Sequence, residues 1–179
     1  LISSSDRLRI ETPRLVLRLY RAEDFEGVFE MSSPAEMWAY SERGPMTGEE
    51  SWARLLRHAG HWEVSGYGLF AVEEKATGEF VGEAGFADFR RRLGGDFDPF
   101  PEASWTVTGA MQGRGYASEA IGAALAWLEA ERAPPRTVCL IHEQNAPSLR
   151  VADKLGYVPL RRVRYRDYPA LLMERPAGA

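Results

Sequence analysis

At 179 residues, with 45% hydrophobic and 27% charged residues and a net charge of −4, the chain fits one globular domain and gives no reason to expect nucleic acid as a partner. One cysteine, Cys139, excludes an internal disulfide, and with three histidines a metal site is poorly supplied, so no metal is expected. No apolar run approaches the roughly 18 residues of a membrane span, and Leu1 to Ile10 lacks the order of a signal peptide; the expectation is a cytoplasmic protein with a tail at 1–10 and a single domain at 11–175.

Arg14-Leu15-Val16-Leu17-Arg18-Leu19 partly alternates apolar and polar residues and predicts a first strand. Ala22 to Ser32 follows with Phe25, Val28 and Phe29 at helical spacing. Thr47-Gly48-Glu49-Glu50 is a capping-box pattern, in which Thr47 accepts from a free amide and Glu50 reaches back. Trp52, Leu55, Leu56, Ala59 and Trp62 then form one helical stripe. His58 and His61 flank it, without the Glu-x-x-His pattern that would support a metal. Strand period returns at Leu69 to Glu73, and again at Glu79 to Phe89, where Gly82 and Gly85 mark a close approach of backbone or ligand. Leu93 to Pro101 reads as a turn or long hairpin loop. Glu102 to Thr108 is a third strand, with Trp105 and Val107 on one face and Glu102, Ser104 and Thr106 on the other.

Ala117, Ala120, Ile121, Ala124, Leu125 and Leu128 fall at helical spacing and stop before Pro134-Pro135. Val138 to Ile141 suits a strand buried on both faces. A short helix from about Pro147 to Leu155 stops at Gly156, and Ala170 to Met173 supplies a last strand. The fold class is therefore α/β: a mixed sheet, antiparallel in its first half, with a strand-helix-strand unit in its second. Arginines cluster at Arg90-Arg91-Arg92 and at Arg161, Arg162, Arg164 and Arg166. They read as solvated loop and strand edges, or as an electrostatic collar for an anionic cofactor or substrate.

The segment from Trp105 to Ala117 is the most informative. A strand ends near Thr108-Gly109, a glycine-rich loop follows, and a helix begins near Tyr116. Free N–H groups and the positive end of a helix make this an anion site. Gly113 and Gly115 let the backbone turn amides inward, and Arg114 adds a formal charge. The loop lacks the Lys-Ser/Thr ending of a Walker A sequence and is not Gly-x-Gly-x-x-Gly. Spacing alone leaves a tight strand-to-helix turn as an equal reading.

Gln112-Gly113-Arg114-Gly115-Tyr116-Ala117 resembles the Gln/Arg-x-x-Gly-x-Gly/Ala signature of the GNAT superfamily of acyl-CoA-dependent N-acyltransferases. Asn145-Ala146-Pro147-Ser148, continuing to Lys154-Leu155-Gly156-Tyr157, is similar to that superfamily's Asn-x-x-Ser/Ala…Lys-x-Gly-Phe/Tyr segment. Thr12-Pro13-Arg14-Leu15-Val16-Leu17-Arg18 resembles the start of the branch that includes the bacterial ribosomal-protein N-terminal (alanine/serine) acetyltransferases. The resemblance implies a mostly antiparallel central sheet with flanking helices. Within it, a parallel pair, Glu102–Thr108 and Thr137–Ile141, splays into a V-shaped cleft. It also implies acetyl-CoA as the acyl donor. The pantetheine arm would pair with backbone near Thr106, Val107 and Thr108. The pyrophosphate would rest on amides of Gly113, Arg114, Gly115, Tyr116 and Ala117, beside Gln112. Asn145 would hold the pantetheine or its neighbouring loop, with Arg150 near the nucleotide end and Lys154 a surface residue.

Acyl transfer to an amine needs a neutral nucleophile, a stabilised oxyanion and a leaving thiolate. An α-amine, with a pKa of about 7.7–8.0, needs less help from a base than a lysine amine at about 10.4. Backbone N–H groups around Val107 are the natural oxyanion donors. Glu102, often matched by Glu in this branch, is the first base candidate, directly or through a water; Glu83 is the second. For each, a structural carboxylate pair is the other reading. The tyrosine that many members use as acid falls at Ala152, so Ser148, matching a serine near the thioester sulfur, is the candidate donor to the thiolate. Tyr157 and Cys139 are expected in the core. The expected function is an N-acetyltransferase, monomeric or homodimeric, acting on a protein N-terminus or small-molecule amine. Trp38, Tyr40, the Thr47–Glu63 helix and the Leu93–Pro101 loop would form its pocket. The alternative is a non-catalytic acyl-CoA-binding or partner-binding module of the same fold, which Ala152 keeps open.

Overall fold

The computed structural model describes residues 8–40 and 44–178; residues 1–7 of the expected tail lie outside them. The strands are β1 (Arg9–Glu11), β2 (Leu15–Arg18), β3 (Leu69–Glu74), β4 (Phe80–Ala87), β5 (Glu102–Val107), β6 (Arg136–His142), β7 (Val158–Tyr165) and β8 (Tyr168–Pro176). They form one eight-stranded sheet in the order β1-β2-β3-β4-β5-β6-β8-β7. Four α-helices accompany it: α1 (Phe25–Ser32), α2 (Gly48–Ser65), α3 (Tyr116–Arg132) and α4 (Ala146–Lys154). Among the described residues no helix is long and apolar enough to cross a membrane.

Local chemistry explains the helix positions. The Thr47 hydroxyl accepts from the Glu50 amide at 3.2 Å, and the Glu50 carboxylate takes the Thr47 amide at 2.8 Å. The reciprocal cap starts α2 where the pattern predicts. Its buried stripe is rotated, however: Ser51, Leu55, His58 and Trp62 point inward, while Trp52 and Leu56 are exposed. Ser51 and His58 are polar residues buried beside polar partners, Ser32 and Glu83, which hydrophobic periodicity does not register. The apolar face of α3 covers one side of the sheet, where Ile121, Ala124 and Leu128 meet Leu17, Phe70 and Cys139. Leu55 of α2 and Val28 of α1 pack with Leu69 and Ala71 in a separate cluster.

Two strands escape the sequence pattern. β1 takes Arg9 and Ile10 out of the expected tail and into the sheet, opposite Arg18 and Leu17. β7 pairs with β8 as an edge hairpin, from Val158 opposite Glu174 to Tyr165 opposite Tyr168. Its three arginines and lack of fully buried residues leave no apolar alternation to read.

The pairings around β5 position the site. β5 is antiparallel to β4 through six register pairs, and β6 is antiparallel to β8 through seven. β5 and β6 are parallel and pair at Glu102 and Val138, where the Val138 amide reaches Pro101 O at 3.0 Å. Beyond that point each strand follows its outer neighbour and the two diverge. Gly82 marks the close approach of a strand backbone: a Cβ there would overlap the Thr106 carbonyl and lie 2.9 Å from Val107 Cα. Gly82→Ala should therefore cost about 1–3 kcal/mol, read as a lower urea midpoint at unchanged slope. An unmoved midpoint would show that β4 and β5 have room to separate.

Candidate active site

From Ala103 onward one edge of β5 faces the gap, and antiparallel alternation determines which backbone groups point there. The Thr108 amide bonds to Val81 O at 3.0 Å. Thr106 and Ser104, in step with it, turn their amides toward β4, opposite Glu83 and Gly85. Ala103, Trp105 and Val107 therefore direct N–H and C=O into the gap. Gln112 Nε2, which reaches Val107 O at 3.3 Å, agrees with this phase. The expectation for Thr106 and Thr108 is corrected: their amides are used within the sheet, and Trp105 joins Val107 as the open edge.

Past Val107 the chain makes a 3-10 turn at Gly109–Met111, extends at Gln112 and enters α3 at Tyr116. Gly113 and Gly115 stand at φ 76° and 82°, in the left-handed region that favours glycine. A Cβ on Gly113 would meet nothing within 4 Å, so conformation rather than crowding selects glycine there. Thr47 and Asn145 cap α2 and α4 with side chains, whereas Gly115 offers none to α3. The first-turn amides of α3 thus combine with the positive helix end. The Tyr116 side chain turns away, buried and donating to Glu74, which leaves its amide for a ligand.

Arg14 holds this loop from behind. Its Nη1 donates to the Arg114 carbonyl at 2.9 Å and its Nε to Glu119 at 2.7 Å, while the guanidinium lies 4.7 Å from the Tyr116 ring centroid. Thr12 Oγ1 adds a bond to Glu119 at 2.6 Å. Sequence reasoning missed this clamp; the signal was a polar Thr-Pro-Arg step ahead of an apolar run, with an acid in the first turn of a distant helix. The Arg114 side chain stays exposed, 4.0 Å from Glu74.

The gap opens into a cleft of about 180 Å³ whose walls include Glu102, Ser104 and Trp105 of β5, His142 of β6, and Asn145 and Ser148 at the start of α4. Tyr40, Arg91 and Tyr168 complete its walls. Asn145 Oδ1 accepts the Ser148 amide at 3.1 Å, so its Nδ2 is the group left for a ligand. Arg150 and Lys154 are exposed on α4, outside the cleft walls. Trp38 donates to Ser32 O at 2.7 Å and does not line the cleft. Sequence reasoning passed over His142, whose only signal was a polar residue ending an apolar run. Its Nδ1 accepts the Gln144 amide at 3.0 Å, and its ring lies 5.6 and 5.4 Å from those of Tyr40 and Tyr168.

The two candidate carboxylates differ. Glu102 faces the cleft, but both its oxygens are held by Arg91, at 2.6 and 2.7 Å. Burial pushes its carboxyl up against the opposing pull of Arg91. Such a bidentate pair must loosen before Glu102 can take a proton. Glu83 is 1% exposed, bonded by the Tyr20 hydroxyl at 2.7 Å and by Arg54, and does not line the cleft. Burial alone would raise its pKa, but Arg54, His58 and those hydrogen bonds outweigh it and hold it at about 2. A carboxylate that acidic is a poor base for an ammonium. Glu83 is corrected from base candidate to structural anchor. Ala152 and Cys139 are buried, and burial pushes the Cys139 thiol well up, which suits neither to chemistry.

The profile of the Acetyltransferase (GNAT) domain matches residues 14–158, from the β2 approach to the first residue of β7. The chain belongs to the GNAT acetyltransferase family. A solved structure from Bordetella pertussis, assigned to the GnaT acetyltransferases, superposes with a TM-score of 0.83 at 36% identity, covering 94% of this chain and 99% of that one. YnaD of Bacillus subtilis (strain 168), an uncharacterized N-acetyltransferase, is 27% identical over 149 residues, 83% of this chain and 82% of its own. RimL, a ribosomal alpha-N-protein acetyltransferase solved in complex with coenzyme A, shares the fold at a TM-score of 0.76 and 13% identity, over 94% of this chain and 98% of that one.

In this GNAT domain the burial of His58 beside Glu83 makes stability depend on pH. His58 stacks on Tyr20 at 5.6 Å, its Nε2 3.7 Å from Glu83, and burial lowers its pKa from 6.5 to about 4. The unfolded chain binds this proton more readily than the folded one. The contribution is therefore complete above about pH 6.5 and is lost as pH falls toward 4, amounting to about 3 kcal/mol. Urea midpoints should drop across that window, and His58→Gln should flatten the slope. A wild-type midpoint that stays level from about pH 7 to about pH 4.5 would contradict this.

Proposed function

We propose that this GNAT domain transfers an acetyl group from acetyl-CoA to a primary amine, either a protein N-terminus or a small-molecule amine. The carrying observation is the juxtaposition of the open β5 edge with the uncapped start of α3. In this reading the amides of Gly113 to Ala117 hold the pyrophosphate, with Gln112 and Arg114 flanking it. Trp105 and Val107 pair with the pantetheine arm, Asn145 Nδ2 steadies it, and Arg150 reaches toward the nucleotide. An N–H of the same edge receives the oxyanion as the amine nitrogen attacks the thioester carbon. The C–S bond breaks, Ser148 donates a hydrogen bond to the thiolate, and the amine's proton passes through a water to Glu102 once Arg91 swings aside.

One arrangement favours a second reading, an acyl-CoA-binding module without turnover: the Glu102–Arg91 pair is closed, and Ala152 is buried where many relatives place a tyrosine. Gly115→Asp should abolish saturable acetyl-CoA binding in calorimetry while lowering the thermal midpoint by only a few degrees, about the cost of a left-handed non-glycine residue; unchanged affinity would remove the loop from the reading. Thiol release across an amine panel separates the two readings. Transfer predicts saturable release, lowered about a hundredfold in kcat by Glu102→Gln with little change in acetyl-CoA KM. Tight binding with no release on any amine favours the module.

A further inference from the structure

Five of the twenty arginines of this chain gather at one place. Arg90, Arg91 and Arg92 follow β4, and Arg164 and Arg166 lie at the β7–β8 hairpin. The two segments meet: Arg91 donates to the Tyr165 hydroxyl at 2.8 Å, Tyr165 packs on Tyr168 at 5.7 Å, and the Arg166 guanidinium lies 5.5 Å from the Tyr165 ring. Arg91 and Tyr168 line the cleft, so the segments that carry the other four arginines flank its mouth. The carboxylates these arginines pair with are Asp88, Glu102 and Asp167. Asp98, whose charge also reaches Glu102, joins them, and Arg161 and Arg162 beside the group are matched by Asp96 and Glu143; five arginines against four carboxylates leave the mouth positive on a chain whose net charge is −4. Arg90, Arg92, Arg164 and Arg166 are exposed.

Backbone strain is a second, independent mark. Arg90, Arg92 and Arg166 hold φ of 50°, 59° and 52°; among the described residues one other non-glycine, Ala133, is left-handed. That conformation favours glycine or asparagine. At Arg166 the two-residue turn between Tyr165 and Tyr168 accounts for it; Arg90 and Arg92, on either side of Arg91, lie outside such a turn, and strain of this kind collects at binding sites.

The collar is misplaced for the donor's phosphates. Arg91 grips Glu102, the first residue of β5, whereas the glycine loop follows Val107, the last. One strand length of roughly 17 Å separates them, and the nucleotide of acetyl-CoA would lie beyond the pyrophosphate, farther away still. The charge therefore faces the acceptor.

Resting on the acetyltransferase reading above, we propose that the acceptor is an anionic primary amine, one whose amino group is accompanied by carboxylates, as in an acidic peptide N-terminus or an acidic amino acid. The positive mouth concentrates such molecules. It also favours the neutral amine over its ammonium, and the neutral form is the one that attacks.

The test uses the full chain saturated with coenzyme A and a fluorescent hexapeptide with a free N-terminus followed by aspartates and glutamates. The same peptide with asparagines and glutamines is the control. The acidic peptide is expected to bind about tenfold more tightly at low salt, with the advantage shrinking as salt rises. The double variant R92E/R166E should erase it while coenzyme A affinity stays within about twofold. Competition by free aspartate assigns the small-molecule source, and its failure assigns the peptide. Equal affinity for the two peptides, or a preference that survives in R92E/R166E, overturns the proposal. Thiol release from acetyl-CoA in parallel samples keeps the two readings apart: acidic-peptide binding without release counts against transfer, while release from neutral amines with no acidic preference counts against the anionic mouth alone.

Discussion

β5 touches β6 through a single parallel pair, Glu102 with Val138, and the rest of the functional architecture follows from the two strands parting there. Each is committed elsewhere, β5 to β4 and β6 to β8. The separation is thus built into two well-formed ladders rather than into a loop. Backbone groups in a gap of this kind remain hydrogen-bonding groups in search of partners. In the proposed reading a half-strand ligand would satisfy them at the edge of Trp105 and Val107, and the next turn of chain would deliver the amides of the glycine loop. A sheet that zipped fully would have neither feature.

The two ends of β5 carry opposite demands. At its far end, uncapped amides and left-handed glycines form a cradle braced by Arg14 and Glu119. At its near end, Arg91 binds Glu102 through both oxygens and reaches Tyr165. That pair pulls against the burial that pushes the Glu102 carboxyl up, and it also keeps the carboxylate occupied. In the proposed reaction the arrival of an anionic acceptor gives Arg91 a competing partner. Acceptor binding and release of Glu102 would then be one event.

Much of this was legible in the residues. Thr47 and Glu50 marked the start of α2, and the change from strand to helical period between Val107 and Ala117 located the cradle. What escaped was whatever depends on partners far along the chain. The phase of β5, which removes Thr106 and Thr108 and adds Trp105, is set by one bond to Val81. Glu83 looks like any strand carboxylate until Tyr20, Arg54 and His58 surround it. β7 had no apolar rhythm because it is an edge, and the choice between surface and collar for its arginines stayed open in the sequence, which could not show Tyr165 meeting Arg91.

The central claim is that the splayed edge of β5 and the start of α3 together receive acetyl-CoA. Residue-resolved amide hydrogen exchange, with and without coenzyme A, tests it most directly. Protection should rise at Trp105, Val107 and Gly113 to Ala117, and stay level at Ser104 and Thr106, which the sheet already protects. Protection gained at Thr106 instead, or no change along β5 while coenzyme A is bound, would contradict the account.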